Sequence, residues 1–265
     1  MFYYSLKKEY TIPNILSIVQ KVTPLYIQPK IDGFSVILHY QNGELSSVES
    51  KSSKKLLRGL VFPDILNDSF TGWIRGEMIV DPEAFSQYNY KQNRRGAYEL
   101  YKKGQVEHLQ YIVFDTSYGQ TFLEKYEFCQ KLGFDVIPTG SIAENRRGEA
   151  ELRELFQKWF ATYSEKYPLD GTVLLSDTDF LDTDEKQYSQ SRIAYKEIQD
   201  IYKVEIQRVE KHTNRFEKDG YVAFFSPIED KEGMIQSVTL YRPVKPGEKV
   251  KIGIVPGSLN VVEVE

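Results

Sequence analysis

The sequence predicts an α+β fold in two parts, a mixed domain over residues 1–200 and a small all-β domain over residues 201–265. Up to about residue 200, alternating strand patterns occur between segments with helical periodicity. Beyond that point, only short alternating runs separated by turn residues remain. A chain of 265 residues is long enough to bury a separate core in each part.

The chain begins with a predicted helix over Asn14–Val22, where apolar residues recur on one face. Two strands follow at Ser35–Tyr40 and Glu44–Glu49. The dipeptide Asn42-Gly43 between them is typical of a two-residue hairpin turn. We therefore expect a hairpin here.

Strands and helices continue through the rest of the first part. The further predicted strands are Trp73–Val80, Gln110–Phe114 and Gly171–Leu175. The further predicted helices are Pro82–Tyr88, Thr121–Leu132 and Glu149–Tyr163. Gly133 directly follows the second of these helices, in a position where glycine commonly ends a helix.

The second part contains about five predicted strands and no predicted helix. They are Tyr202–Val209, Tyr221–Phe225, Met234–Leu240, Lys249–Ile254 and Leu259–Val264. This number and spacing predict a small five-stranded barrel of the OB type.

Composition narrows the class of protein. Hydrophobic residues make up 41% and charged residues 27%, which is typical of globular proteins, and no apolar run is long enough for a membrane span. The N-terminus lacks the pattern of a secretory signal. The single cysteine, Cys129, excludes an internal disulfide and a multi-cysteine zinc site. We therefore expect a cytoplasmic protein with no membrane partner.

The net charge of −4 argues against an overall basic nucleic-acid-binding protein. Local basic clusters could still contact phosphates. The residues in question are Lys51, Lys54, Arg94 and Arg95. A solvated face explains such clusters equally well.

The segment from Gln28 to Gly33 places Lys30 at the inner end of a strand, directly before Ile31, Asp32 and a glycine. A lysine rarely lies there unless it has an ion-pair partner or a functional role. The pattern indicates an amine held ready to attack, with a carboxylate beside it. A strand that ends in a charged turn has the same pattern.

Three later segments place charged residues on strands. They are Arg75-Gly76-Glu77, Leu169-Asp170-Gly171-Thr172-Val173 and Ile193-Ala194-Tyr195-Lys196. In this order, the motifs resemble those of the polynucleotide ligase and capping-enzyme superfamily of nucleotidyltransferases. Pro29 and the Arg-Gly-Glu triplet look most like the adenylation and OB domains of NAD-dependent DNA ligases. The resemblance implies ATP-grasp-like antiparallel sheets with helices, followed by the OB barrel.

The resemblance also implies a catalytic set. Lys30 would attack an α-phosphate to form lysyl-AMP, and Lys196 would balance the phosphate charge. Glu77 and Asp170 would serve the ribose and a Mg²⁺ ion, because carboxylate oxygens suit this cation. Asp32 would fix the loop and orient a substrate hydroxyl.

The predicted cofactor-binding set adds three residues to Glu77 and Lys196. Gln28 would lie near the adenine edge, and Ile31 and Phe114 would lie near the nucleotide. Packing explains Phe114 equally well, as it does Tyr195, a further candidate beside the base. The basic residues Lys51, Lys54, Arg94 and Arg95 would contact the phosphates of nicked duplex DNA.

The predicted function is that of a DNA ligase, which transfers adenylate to a 5′-phosphate and seals the nick when a 3′-hydroxyl displaces AMP. The donor is NAD or ATP, and the motif details favour NAD. Leu175, however, stands where NAD-type ligases carry a lysine, which Lys203 could replace. Only 29 residues precede Lys30, too few for a nicotinamide-recognition domain.

Two explanations are consistent with these departures. The chain could be one subunit of a split enzyme, with the nicotinamide-recognition domain on a second polypeptide. It could instead be a compact ATP-dependent ligase, which Tyr111–Asp115 resembles. The alternatives in function are an RNA ligase or capping-type transferase, and an impaired ligase-like module that binds nicked nucleic acid.

Overall fold

The chain forms two compact units, residues 1–195 and residues 196–265, in a computed structural model. The structure describes residues 5–20, 22–50, 57, 59, 60, 62, 70–82, 84, 93–179, 188–198, 200–213, 219–230, 233–255 and 260–264. None of the described helices is both long and apolar enough to cross a membrane.

The described part of the first unit combines four helices with nine strands. The helices are α1 (Ile12–Val19), α2 (Asn93–Lys103), α3 (Phe122–Lys131) and α4 (Glu149–Ser164). The strands are β1 (Ser5–Glu9), β2 (Tyr26–Ile31), β3 (Phe34–Gln41), β4 (Glu44–Ser50), β5 (Gly72–Val80), β6 (Leu109–Thr116), β7 (Gly140–Ser141), β8 (Leu169–Leu175) and β9 (Tyr188–Tyr195). They form two sheets, with strand orders β1-β9-β8-β2-β7 and β4-β3-β5-β6.

Local sequence signals place several elements correctly. The β3–β4 hairpin turns at Asn42 and Gly43, which both have positive φ angles (51° and 83°), as a type I′ turn requires. Helix α3 begins at a capping box between Thr121 and Glu124 and ends before Gly133, whose φ is 80°. The predicted helix Pro82–Tyr88 lies mostly outside the described residues.

Each sheet of the first unit packs against helices. The sheet β4-β3-β5-β6 packs against α2 and α3 through a core that includes Val36, Ile74, Ala97, Leu100 and Phe128. The five-stranded sheet packs one face against α1 and α4 through a second core, which includes Ile15, Ile27, Leu152, Leu174 and Ile193. Helices α1 and α4 therefore cover one face of the five-stranded sheet, and Phe122 of α3 packs against its other face.

A third apolar cluster joins the two sheets. It contains Ile31 of β2, Ile79 of β5, Ile112 of β6 and Leu169 of β8. Because these side chains come from both sheets, the end of β2 directly after Lys30 is fixed against β5 and β6.

The described part of the second unit contains only strands, as the sequence predicts. They are β10 (Asp200–Glu205), β11 (Arg208–Thr213), β12 (Asp219–Asp230), β13 (Gly233–Leu240), β14 (Lys249–Val255) and β15 (Asn260–Val264). They form two antiparallel three-stranded sheets, β10-β14-β15 and β11-β12-β13. Within these residues the sheets do not close on themselves, so the OB barrel is not confirmed and stays a prediction.

The predicted single strand Tyr202–Val209 is wrong, because the chain changes sheets in its middle. The N–H of Ile206 donates to the carbonyl of Glu248, beside β14, whereas the N–H of Gln207 donates to the carbonyl of Phe224 on β12. The apolar alternation of Tyr202, Val204 and Ile206 ends at this change, since position 208 is an arginine and the next apolar residue is Val209.

Candidate active site

The position of Lys30 is set by an irregularity between β2 and β8. Pro29 pairs with Thr172 and Ile31 pairs with Leu169, so both Asp170 and Gly171 lie opposite Lys30. The φ of Gly171 is 141°, a conformation that side-chain-bearing residues rarely adopt. A two-against-one bulge of this kind turns a side chain away from the regular ladder. Here it brings Lys30 next to Asp170.

Lys30 and Asp170 form an ion pair. The Lys30 Nζ lies 2.5 Å from Asp170 Oδ1. The lysine side chain is 16% exposed and the aspartate side chain 2% exposed. The buried carboxylate therefore holds an amine that remains open to a reactant from solution.

The two-residue loop Asp32-Gly33 follows β2, and we call it the Lys30 loop. It is fixed by Arg94 of α2. The Arg94 Nη2 lies 2.9 Å from Asp32 Oδ1, and its Nε donates to the carbonyl of Gly33 over 2.8 Å. The N–H of Asp32 donates to the carbonyl of Pro168 over 2.8 Å. These contacts fix Asp32 and Gly33 directly after β2.

Glu77 approaches the same loop from β5. A Cβ added to Gly33 would lie 2.9 Å from Glu77 Cγ and 2.3 Å from the carbonyl oxygen of Met78. Only glycine fits this close approach. The structure therefore brings the Glu77 side chain against the Asp32-Gly33 loop that follows β2.

Lys196 directly follows Tyr195, the last residue of β9, and is 1% exposed. It is the first residue of the second unit. Tyr195 pairs with Thr172 on β8, and its ring stacks on Phe156 of α4 with centroids 4.6 Å apart. Packing thus accounts for Tyr195.

The predicted cofactor-binding residues of β2 and β6 are buried or partly buried. The Gln28 Nε2 donates to Thr139 Oγ1 over 3.0 Å. Ile31 belongs to the apolar cluster that joins the two sheets, and the partly buried Phe114 packs against that cluster. The structure thus brings Ile31 and Phe114 into one cluster. Gln28 lies on the same strand as Ile31.

The predicted phosphate-binding residues differ in what they contact. Arg94 contacts the Lys30 loop, while Arg95, whose side chain is 80% exposed, pairs with Glu99 one helical turn away. Lys51 and Lys54 lie outside the described residues. Leu175 is buried in an apolar cluster with Tyr26, Phe122 and Val173.

Sequence reasoning missed Lys8, because β1 is short and lacks an apolar alternation that would predict a strand. Lys8 is in register with three residues on successive strands of the sheet. They are Ala194 of β9, Val173 of β8 and Gln28 of β2. Desolvation by surrounding protein atoms lowers the pKa of Lys8, and the positive charges of Lys30 and Arg94 lower it further, while Asp170 opposes the shift. This strand thus brings another cation to the site.

With two predicted carboxylate ligands, a Mg²⁺ ion here would depend on the substrate for most of its ligands. Among the described residues, no group of three or more histidine, cysteine, aspartate or glutamate side chains could hold a metal. Mg²⁺ commonly uses one or two carboxylates together with phosphate oxygens and water. Glu77 and Asp170 are the carboxylates that could supply these protein ligands.

No family model matches the chain. The DNA ligase of Lachnoclostridium phytofermentans is 25% identical over 232 residues, a match that covers 76% of this chain and 35% of that ligase. The chain therefore spans about a third of the length of this relative. Two solved structures, named "Pmar-Lig_Pre." and "Pmar-Lig_PreS3", each match with a TM-score of 0.59 and 12% identity.

The two structural matches cover 95% and 94% of this chain and 62% of each solved chain. The fold is ligase-like. At this identity the structural likeness extends to the fold alone, and the sequence relative is a DNA ligase.

Proposed function

We propose that the chain is a DNA ligase that carries AMP on Lys30. The observation that supports this most strongly is the Lys30–Asp170 ion pair at the β2–β8 bulge, with Asp32 and Glu77 beside the same loop. A nucleophilic lysine needs an orienting partner and access to a phosphorus atom. The partly exposed amine on a buried carboxylate meets both needs.

The first step forms lysyl-AMP. The neutral Lys30 amine attacks the α-phosphorus of the donor, an N–P bond forms and the P–O bond to the leaving group breaks. The leaving group is pyrophosphate from ATP or nicotinamide mononucleotide from NAD, and the amine proton passes to solvent. Asp170 orients the amine by accepting its hydrogen bond, and Lys196 offsets the phosphate charge.

The next steps transfer the adenylate and seal the nick. An oxygen of the 5′-phosphate attacks the adenylate phosphorus, and the N–P bond breaks as Lys30 regains its proton. A 3′-hydroxyl then attacks the 5′-phosphate, loses its proton and releases AMP. A Mg²⁺ ion, held by Glu77 or Asp170 together with phosphate oxygens, would neutralise charge on those oxygens.

The second unit and the basic residues would bind the nucleic acid. We expect residues 201–265 to act as an OB domain on nicked duplex DNA, with Arg95, Lys51 and Lys54 at phosphates. Arg94 would act mainly on the Lys30 loop, because its described contacts lie there.

The burial of Leu175 favours a second candidate function, an impaired ligase-like protein that binds nicked nucleic acid without adenylation. The Leu175 side chain has neither a positive charge nor a hydrogen-bond donor to offer a phosphate, and it is buried in an apolar cluster. This candidate retains the same fold and predicts binding of nicked DNA with no covalent adduct.

One experiment separates the two functions. The purified chain is incubated with Mg²⁺ and either ATP or NAD labelled in the adenylate, and then with nicked DNA or nicked RNA. We expect an acid-labile, alkali-stable AMP adduct and sealing of nicked DNA. No adduct with either donor, together with binding of nicked DNA, would support the impaired protein. Sealing of RNA alone would assign an RNA ligase.

A further inference from the structure

We propose that Lys8 of β1 is a phosphate-binding residue of this site, which holds phosphate oxygens of the AMP donor while Lys30 attacks. The inference rests on the proposed function and adds a residue that no motif identifies. It assigns a task to the N-terminal strand, whose sequence offers no sign of one.

The register of the five-stranded sheet places Lys8 on the face opposite α1 and α4. Lys8, Ala194, Val173 and Gln28 form one row across β1, β9, β8 and β2. Side chains in register on adjacent strands share a face of the sheet. The face that bears Gln28 therefore also bears Lys8.

The neighbouring row confirms which face this is. Lys7 is in register with Ile193, Leu174 and Ile27, and these three apolar residues belong to the core beneath α1 and α4. Because successive side chains of a strand alternate between faces, Lys8 lies on the other side. Lys7 thus provides a control one residue away.

The charges around Lys8 favour a bound anion. The Lys7 side chain forms an ion pair with Glu9 at 3.1 Å, whereas the Lys8 side chain has no hydrogen bond or ion pair within the part of the chain that the structure describes. The charges of Lys30, Arg94 and Asp170 all act on Lys8. Asp170 is already engaged by Lys30. A phosphate group near these cations would relieve their mutual repulsion.

A simpler role for Lys8 is protection of a sheet edge. The strand β1 lies at the edge of its sheet, and lysines on edge strands discourage pairing with other chains. This role needs only exposed positive charge, so it predicts the same behaviour when either Lys7 or Lys8 is replaced. A phosphate-binding role predicts a difference between them.

The test compares Lys8→Gln, Lys8→Arg and Lys7→Gln with the unaltered chain. Initial rates of adduct formation are measured against the concentration of ATP and, separately, of NAD, with Mg²⁺ present. We expect Lys8→Gln to raise the KM for the donor about tenfold or more, as for the loss of a charge-assisted hydrogen bond. Lys8→Arg should recover most of the loss, and Lys7→Gln should match the unaltered chain.

Direct binding separates failure of this inference from failure of the proposed function. ATP and NAD are titrated into the Lys30→Ala chain with and without Lys8→Gln, and thermal unfolding checks that each variant is folded. Weaker binding on loss of Lys8 would support the inference even if the chain forms no adduct. Equal donor affinity with and without Lys8, equal KM values for the two Gln variants, or no binding of either nucleotide would overturn it.

Discussion

Lys30 and Asp170 are joined by an ion pair at the β2–β8 bulge. The carboxylate is almost fully buried, and such a charge is stable only when it has a partner. The protonated Lys30 is the counter-ion of Asp170, and in the proposed mechanism it becomes the nucleophile once it has lost a proton. Removing the amine is therefore expected to stop adduct formation. It is also expected to lower the free energy of unfolding, because the buried Asp170 loses an ion-pair partner.

The first prediction concerns Asp170. In Asp170→Asn the amide keeps the shape of the side chain but loses its charge, so the amine is oriented less well and a bound Mg²⁺ ion would lose a negatively charged ligand. We expect the rate of adduct formation to fall at least about 100-fold, as for the loss of other aligned catalytic groups. Single-turnover measurements at saturating donor provide the check. An unchanged rate would remove Asp170 from the mechanism.

The second prediction concerns Arg94. Its guanidinium contacts both the Asp32 carboxylate and the Gly33 carbonyl, a geometry that lysine cannot reproduce. Arg94→Lys should therefore slow adduct formation about tenfold even in the absence of nucleic acid. Lys103→Gln, near the end of the same helix, is the matched control. A variant that adenylates normally but binds nicked DNA less tightly would support a direct phosphate contact instead.

The bulge between β2 and β8 is the local structure that brings Lys30 and Asp170 together. Its position depends on Gly171, whose φ of 141° is strained for any residue with a side chain. The bulge and the ion pair thus depend on each other, because a regular ladder would not place two residues of β8 opposite Lys30.

The third prediction concerns this glycine. Gly171→Ala should cost about 1–3 kcal/mol of stability and reduce adduct formation as well. Gly104→Ala is the control, because Gly104 also has a positive φ (74°) but nothing lies within 4 Å of an added Cβ. Thermal unfolding and adduct rates are measured for both variants. Equal loss of adduct in the two would show a general effect of lower stability.

Elements with strong local signals are predictable from the sequence, and elements set by distant partners are not. The β3–β4 turn and the capping box at Thr121 are encoded within a few residues. The strand β1 depends on β9, more than 180 positions later in the chain. Its consecutive charges, Lys7 and Lys8, resemble a solvated surface until that pairing is known.

The same distinction applies to the site. Lys30, Asp32, Glu77 and Asp170 are recognisable because their motifs combine reactive groups with glycine or strand signals. The contact of Arg94 with the loop was not predictable, because it depends on α2 packing beside β3 and β5. The sequence could indicate only that Arg94 is a cation available for phosphate.

At the scale of the molecule, the first unit contains its own cores. The clusters that join its helices and sheets are built from residues of that unit. The second unit has a separate cluster that includes Val204, Ala223, Val238 and Ile252. Each unit therefore has the internal burial that independent folding requires.

The fourth prediction follows from these separate cores. A fragment of residues 1–198, which retains Lys196, should unfold cooperatively on heating but should not seal nicked DNA, because it lacks the unit proposed to bind the duplex. Calorimetry and a sealing assay provide the measurements, with the full chain as control. A fragment that unfolds without a cooperative transition would contradict the independence of the first unit.

The central claim is that Lys30 carries the adenylate. The most direct measurement incubates the full chain with Mg²⁺ and ATP or NAD, determines the intact mass, and locates the modification by peptide mapping. We predict a single AMP on Lys30 and none in Lys30→Arg, which keeps the charge but offers no nucleophilic amine. An AMP found on another residue, or an adduct that persists in Lys30→Arg, would contradict the claim.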